Sequence, residues 1–284
     1  MEKSKKNLSE AKLLLEFMRK WLAVASVTLS LCVLFISVAG QNGVKTNSPK
    51  QIPTLFIIGD STVNNTGQGF RGWGNVLGEF FDATKINIEN RARGGRSSRT
   101  FYTEGLWDKA LIEIKKGDFV LIQFGHNDGG PIDKEKARGS LKGIGEETTE
   151  ITVEATGKKE IVHTYGWYLR KFISDAKLKG AIPIVLSPVP RNIWKDGKVV
   201  RASADYGKWA EESAKSENAV FIDLNEIIAE HYEKDGQEKV AATYFTNIDH
   251  THTTAAGARL NAASVIEGLK KIKKVQLRKY ILKN

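Results

Sequence analysis

Four short segments carry residue types that can perform acyl transfer. Residues 59–63 read Gly-Asp-Ser-Thr-Val and follow an apolar run. Ser61 therefore stands at the carboxyl end of a predicted strand, where a serine serves as nucleophile if a base and an oxyanion hole are in reach. Ser and Asp after a strand are also common helix caps, so this segment alone leaves both readings open. Residues 90–98, Asn-Arg-Ala-Arg-Gly-Gly-Arg-Ser-Ser, hold the Gly94–Gly95 pair. Such a pair lets backbone approach a ligand and can aim the Gly95 N–H at developing negative charge; a plain turn is the alternative. In Gly125-His126-Asn127-Asp128 the Asn127 amide can donate to an oxyanion or close an Asx turn. In Asp249-His250-Thr251-His252-Thr253, the spacing of Asp249 and His252 supplies a base and a carboxylate to orient it. His250 competes for the role of base. His250 and His252 also form a His-x-His pair, but a metal would need His126 or His163 and carboxylates besides. We expect neither metal nor organic cofactor. Together the segments supply a nucleophile (Ser61), a base (His252), its orienter (Asp249) and oxyanion donors (Ser61 N–H, Gly95 N–H, the Asn127 amide), a set that fits acyl transfer.

These segments need a scaffold that gathers them. Short apolar runs at 54–60, 86–92, 119–125, 182–188 and 219–224 are rich in Val, Ile or Phe and end in Gly, Asn, Asp or Pro. They predict buried strands of a mainly parallel sheet. Helical patterns lie near 74–82, 105–115, 166–178, 206–216 and 254–272. Alternation over most of the chain predicts one α/β domain, a three-layer α/β/α sandwich. The polar segment 129–163 interrupts the rhythm, and its stretches 150–155 and 158–163 predict a small hairpin. It follows the third strand, at the rim where open α/β sheets bind ligands.

The 284 residues carry a net charge of +10. Such a balance favours anionic partners, whether nucleic acid, anionic lipid or acidic polysaccharide. None of the nucleic-acid motifs is present, so no nucleic-acid partner is expected. Residues 1–20 are polar and basic, 21–39 are uncharged, and Ser37 and Ala39 fit a cleavage site. That order predicts a secretory signal; an apolar stretch of roughly 28 Å as a helix would also serve as a membrane anchor. Either reading exports the body, to the periplasm or beyond. Residues 40–52 are a linker, 53–272 the domain, and 273–284 a basic tail. The single Cys, Cys32, lies in the apolar segment, so a processed chain has no disulfide and no thiolate metal site.

The set Gly-Asp-Ser, Gly block, Gly-x-Asn-Asp and terminal Asp-x-x-His resembles the SGNH, or GDSL-type, hydrolase superfamily. Within it, GGRSSRTF (94–101), GHNDGGP (125–131), HTYGWYLRKFI (163–173) and DHTHTTAAGA (249–258) are most similar to rhamnogalacturonan acetylesterases. The resemblance covers about 54–270. It implies a flavodoxin-like five-stranded parallel sheet of order 2-1-3-4-5. It also implies a serine esterase that removes O-acetyl groups from pectic polysaccharide through an acetyl-enzyme on Ser61.

A polyanionic substrate suits the basic body and a rim of Arg93, Arg96, Arg99 and Arg191, because guanidinium groups pair with carboxylates bidentately. Arg96 has a structural alternative, pinning the oxyanion loop. Trp73, Trp167 and Trp194 either stack on sugar faces or fill the core. Two other functions compete: an esterase or lipase of the same scaffold acting on another acyl ester, and a non-catalytic polysaccharide-binding protein. The complete Ser, His and Asp set argues against the last. The sequence is silent on oligomeric state.

Overall fold

The five apolar runs form one parallel sheet. The computed structural model describes residues 52–283; the signal or anchor segment, Cys32 and all but the last residue of the linker lie outside the described residues. In chain order the elements are β1 Thr54–Gly59, β2 Asn87–Asn90, α1 Ser98–Thr103, α2 Leu106–Glu113, β3 Phe119–Gln123, β4 Thr148–Thr152, β5 Lys159–His163, α3 Tyr165–Leu178, β6 Ile182–Leu186, β7 Trp194–Lys195, β8 Lys198–Val199, α4 Tyr206–Ser216, β9 Val220–Ile222, α5 Leu224–Asp235, α6 Gln237–Thr243 and α7 Ala255–Lys271. The central sheet runs β2-β1-β3-β6-β9 with every pairing parallel. This is the expected 2-1-3-4-5 order of a three-layer sandwich.

Why the inner runs β1, β3 and β6 are so apolar, unlike the edge strand β2, follows from their two-sided burial. Successive side chains of a strand face opposite sides. Leu55, Ile57, Leu121, Ile184 and Leu186 pack on one side against Ile228 and Tyr232 of α5 and Val265 and Leu269 of α7. Phe56, Ile58, Val120, Ile122 and Val185 pack on the other against Trp107 of α2, Phe172 of α3 and Ala210 of α4. Helices cover both faces, so alternation of polar and apolar residues would bury polar groups.

The expected helix at 74–82 is absent. Two 3-10 turns, Trp73–Asn75 and Leu77–Phe80, stand there instead. A Cβ on Gly72 would lie 2.4 Å from the Val63 backbone, so the chain is pressed too closely against the β1 loop for a regular helix. Three glycines at 72, 74 and 78 also weaken any helix. The basic segment after residue 272 is, over its described residues 273–283, no free tail. Val275 and Leu277 are buried in the α5–α7 core, and Leu282 N–H donates to the Phe80 carbonyl at 2.9 Å. Its apolar residues are spaced to fold back on the domain, and the packed unit runs past residue 272. The inserted hairpin β4–β5 is antiparallel, with Thr148 opposite His163.

Candidate active site

Every segment singled out for chemistry arrives at the carboxyl rim of the sheet. β1 delivers Ser61, β2 the Gly94–Gly95 loop, β3 His126 and Asn127, and β6 Arg191. The Asp249–His252 loop precedes α7. Asp249 Oδ1 accepts the backbone N–H groups of Thr251 and His252, both at 2.7 Å, which curls the loop into an Asx turn. Thr253 then anchors it: its hydroxyl donates to the Arg71 carbonyl at 2.9 Å, and Arg71 N–H donates to the Thr253 carbonyl at 2.8 Å.

This folding sets three groups in line. Ser61 Oγ lies 2.8 Å from His252 Nε2, and His252 Nδ1 lies 2.8 Å from Asp249 Oδ2. Burial raises the Asp249 carboxyl, but the bonds from His252 and Thr251 outweigh it and hold the group below its usual range, hence ionised. The Phe70 ring lies 5.2 Å from the His252 ring and walls the imidazole. His250 is exposed and contributes only its carbonyl, which accepts from Asn192 N–H at 2.8 Å. Of the two histidines, the loop brings His252, the one that the three-residue spacing from Asp249 favours, against Ser61 and leaves the His250 side chain apart.

Beside the serine lies a cavity of about 510 Å³, lined among others by Ser61, Gly95, Asn127 and His252. Among the described residues neither the Ser61 nor the Gly95 N–H has a protein acceptor. Gly95 has φ +77°, a conformation open to glycine, and this turns the loop toward Ser61. One N–H of the Asn127 amide donates to the Arg96 carbonyl at 2.9 Å, which fixes the side chain and leaves its second N–H for a ligand.

Beneath Ser61, buried Asp60 accepts from Thr62 N–H at 2.9 Å and Thr62 Oγ at 2.8 Å, and it faces His126 Nδ1 at 3.1 Å. Burial pushes its carboxyl up, yet His126 and Thr62 bring it below the usual value. Asp128 is also fully buried. It accepts from Ser98 N–H and from the hydroxyls of Ser98 and Ser140. Burial, with the Asp60 charge nearby, raises its carboxyl to about 6 against these bonds. Asp60, His126 and Asp128 brace the loops that carry Gly95 and Asn127, and none was expected to; their polar types inside the motifs were the available signal.

The arginine rim divides. Arg93 is exposed, Arg96 pairs with Glu104 at 2.9 Å, and Arg191 lines the cavity. Arg99 leaves the list: it is 1% exposed and binds Glu160 of β5 and the carbonyls of Ile132 and Gly139. It ties the insertion to α1 and touches no open surface. The insertion in turn supplies Lys136 and Arg138 to the cavity. Neither was anticipated, because only their place in the fold brings them to Ser61. Trp73 is a core residue, fully buried and donating to Gln123 Oε1 at 2.8 Å. Trp167 stacks on His163 at 3.8 Å, and half-buried Trp194 packs on the α5–α7 core and donates to Asn192. Among the described residues no three metal-ligating side chains converge.

Residues 57–260 match the model of the GDSL-like Lipase/Acylhydrolase family. The chain belongs to this family. It is thus an acyl hydrolase of the GDSL type, on the fold that such enzymes use. A rhamnogalacturonan acetylesterase of Emericella nidulans is 31% identical over 76% of this chain and 84% of its own. A probable rhamnogalacturonan acetylesterase of Bacillus subtilis, YesY, is 34% identical over 77% of this chain and 93% of its own. Among solved structures, Bacillus subtilis YxiM superposes with a TM-score of 0.63 at 25% identity over 78% of this GDSL-type chain. The chain spans 57% of that longer protein. The acetylxylan esterase Axe2 of Geobacillus stearothermophilus, at 17% identity and a TM-score of 0.51, shares the fold.

Proposed function

We propose that the protein is a serine esterase that removes O-acetyl groups from an acidic pectic polysaccharide, rhamnogalacturonan, with Ser61, His252 and Asp249 as its catalytic triad. The observation that carries the reading is the Ser61–His252–Asp249 series, two contacts of 2.8 Å at the mouth of an open cavity. Ser61 Oγ attacks the acetyl carbonyl carbon as its proton passes to His252 Nε2. The tetrahedral oxyanion accepts from Ser61 N–H, Gly95 N–H and the Asn127 amide. Collapse breaks the ester C–O bond, and His252 returns the proton to the departing sugar oxygen. Water then attacks the acetyl-serine, giving its proton to His252. The second collapse releases acetate and reprotonates Ser61. Asp249 holds the imidazole in the required tautomer throughout.

The substrate class rests on charge and on the named relatives. Lys136, Arg138 and Arg191 line the cavity, and among the described residues none is paired with a carboxylate. Among the described residues no carboxylate lines the cavity with them. A galacturonate carboxylate matches this surface, whereas an acyl chain of a lipid would need an apolar groove. Residues 1–39 serve in this reading as the export signal that brings the enzyme to plant cell-wall polymer.

Acetate release by the purified chain from acetylated rhamnogalacturonan, galacturonan and xylan, with Ser61→Ala alongside, tests the proposal. Release strongest from rhamnogalacturonan and abolished by Ser61→Ala is expected. Near-normal activity in the variant would remove Ser61 from the mechanism. Equal release from all three would withdraw the pectic assignment.

A further inference from the structure

Ser61 stands at the carboxyl rim of the sheet. The opposite end, where the parallel strands begin, has a chemistry of its own. Residues 270–283 hold seven basic residues and no acidic one. The fold pins this segment at the amino end of the sheet. α7 starts beside the site and runs back across the domain to Lys271. Beyond it Val275 and Leu277 are buried, and Asp82 N–H, just ahead of β2, donates to the Tyr280 carbonyl at 2.9 Å. The Tyr280 ring lies 6.1 Å from that of Phe119, the first residue of β3. With the apolar residues turned inward, Lys273, Lys274, Arg278 and Lys279 are exposed.

Two further turns add charge to this end. Lys115 and Lys116 stand ahead of β3, and Lys177 and Lys179 flank the last residue of α3 ahead of β6; all four are exposed. The turns touch, since a Cβ on Gly180 would lie 3.0 Å from the Lys116 side chain. Asp118 is buried here and accepts from Thr54 N–H and Lys115 N–H, both at 2.8 Å, and Asp82 pairs with Lys85. Among the described residues Lys115, Lys116, Lys179, Lys273, Lys274 and Arg278 have no carboxylate partner. Open apolar side chains stand among these cations. Leu178, between Lys177 and Lys179, is 83% exposed, and Ile112, near the end of α2, is 77% exposed. Cations that meet phosphate, with apolar tips that enter the acyl boundary, make a surface suited to lipid headgroups. A soluble polyanion would match the cations but give Leu178 and Ile112 nothing to enter.

The chain also enters the domain at this end. β1 begins at Thr54, and only residues 40–53 separate it in sequence from the uncharged stretch 21–39. A flexible chain of that length has an end-to-end distance of roughly 20 Å. We propose that the amino end of the sheet is a docking surface for an anionic lipid bilayer, with residues 21–39 as the attachment beside it. Ser61, at the opposite rim, then faces away from the membrane and toward polymer, and the lipid is a support and not a substrate. The proposal rests on the export reading of residues 1–39 and not on the identity of the glycan.

The test uses the full chain in lipid nanodiscs of phosphatidylcholine alone or with about 30% phosphatidylglycerol as the anionic lipid. Labelling by an amine reagent is read lysine by lysine by mass spectrometry, with no glycan present, so failure of the pectic reading would leave this result standing. Phosphatidylglycerol is expected to protect Lys273 and Lys274 severalfold relative to Lys136 of the catalytic cavity. Salt at about 0.5 M should remove the protection. The triple variant Lys116→Glu, Lys179→Glu, Arg278→Glu keeps both reporter lysines and should lose the protection, while hydrolysing 4-nitrophenyl acetate at the parental rate as proof of folding. Leu178→Gln should weaken the protection without a change of charge. Equal labelling in the two lipids, or protection that survives the triple variant, overturns the docking surface. Protection by soluble polygalacturonate with none from phosphatidylglycerol gives the surface to polymer and overturns it as well.

Discussion

His126 bridges two loops of the site: its Nδ1 lies 3.1 Å from the buried Asp60 carboxylate and its Nε2 2.9 Å from the Val189 carbonyl. The imidazole thus spans two acceptors, and the ionised Asp60 it faces stands one residue before Ser61. The same carboxylate continues through Thr62 and Gln123 to the Trp73 indole, each contact at 2.8 Å. A buried polar chain thus runs under Ser61 from Trp73 on the α5–α7 side of the sheet to the β6 loop.

Breaking this pair from one side should be expensive. His126→Ala leaves a fully buried carboxylate with only Thr62 for compensation. We expect a loss of about 3–5 kcal/mol in urea unfolding, the usual result of orphaning a buried charge. Adding Asp60→Asn should recover part of that loss. A double-mutant cycle without coupling would show that the pair contributes nothing.

The two histidines of the terminal loop predict opposite outcomes. His252→Ala removes the base and should lower kcat by about 10⁴-fold or more. His250→Ala alters only an exposed side chain and should stay within about twofold, since surface changes are near neutral. Similar rates in the two variants would contradict the assignment of His252.

Asn127→Ala tests the oxyanion donors. Loss of one such donor lowers turnover by about 10²–10³. Because its amide also holds the Arg96 carbonyl, some loss of stability should accompany it. The diagnostic is a fall in kcat at nearly constant KM, measured with 4-nitrophenyl acetate. A change confined to KM would reassign Asn127 to ground-state binding.

What could be read from the chain and what could not divides along physical lines. Strand interiors such as Leu55–Ile58 announce themselves because two-sided burial leaves an apolar run. The motif residues do so because reactive groups must stand at strand ends. α5 was legible but unread: Leu224, Ile228 and Tyr232 recur at a helical interval and are all buried. Arg99 is expected at the rim and is core, and Trp73, for which stacking and core packing both stand open in the sequence, is core as well, since only tertiary contacts decide where a long amphipathic side chain lies. Lys136 and Arg138 could not be assigned at all, because a polar insertion gives no periodicity from which to place it.

Lys136, Arg138 and Arg191, which line the cavity and pair with no carboxylate among the described residues, predict salt sensitivity. Raising ionic strength from about 0.05 to 0.5 M shortens the screening length severalfold. KM for acetylated rhamnogalacturonan should rise, while KM for the neutral 4-nitrophenyl acetate should hardly move. Arg191→Gln should reproduce part of this rise at low salt. Equal salt responses on the two substrates would remove charge from recognition.

Asp128 predicts a stability profile with an unusual sign. Its carboxyl titrates near 6 in the folded protein against 3.8 as a free side chain. A carboxyl raised in this way favours the fold below pH 3.8, and that contribution is lost as pH rises through about 6. Integrated, the shift amounts to about 3 kcal/mol at most. Asp128→Asn removes the titration. The Ser98 and Ser140 hydroxyls can reverse to accept from the new amide, and Ser98 N–H can still donate to its oxygen. Asp60 and Asp249 shift the other way, so they make both proteins lose stability in acid; the informative quantity is the difference between the two proteins. Thermal melts from pH 4 to 8 should find the variant gaining on the parent up to about pH 7 and level beyond it. A difference that does not change with pH would mean that Asp128 keeps its charge throughout.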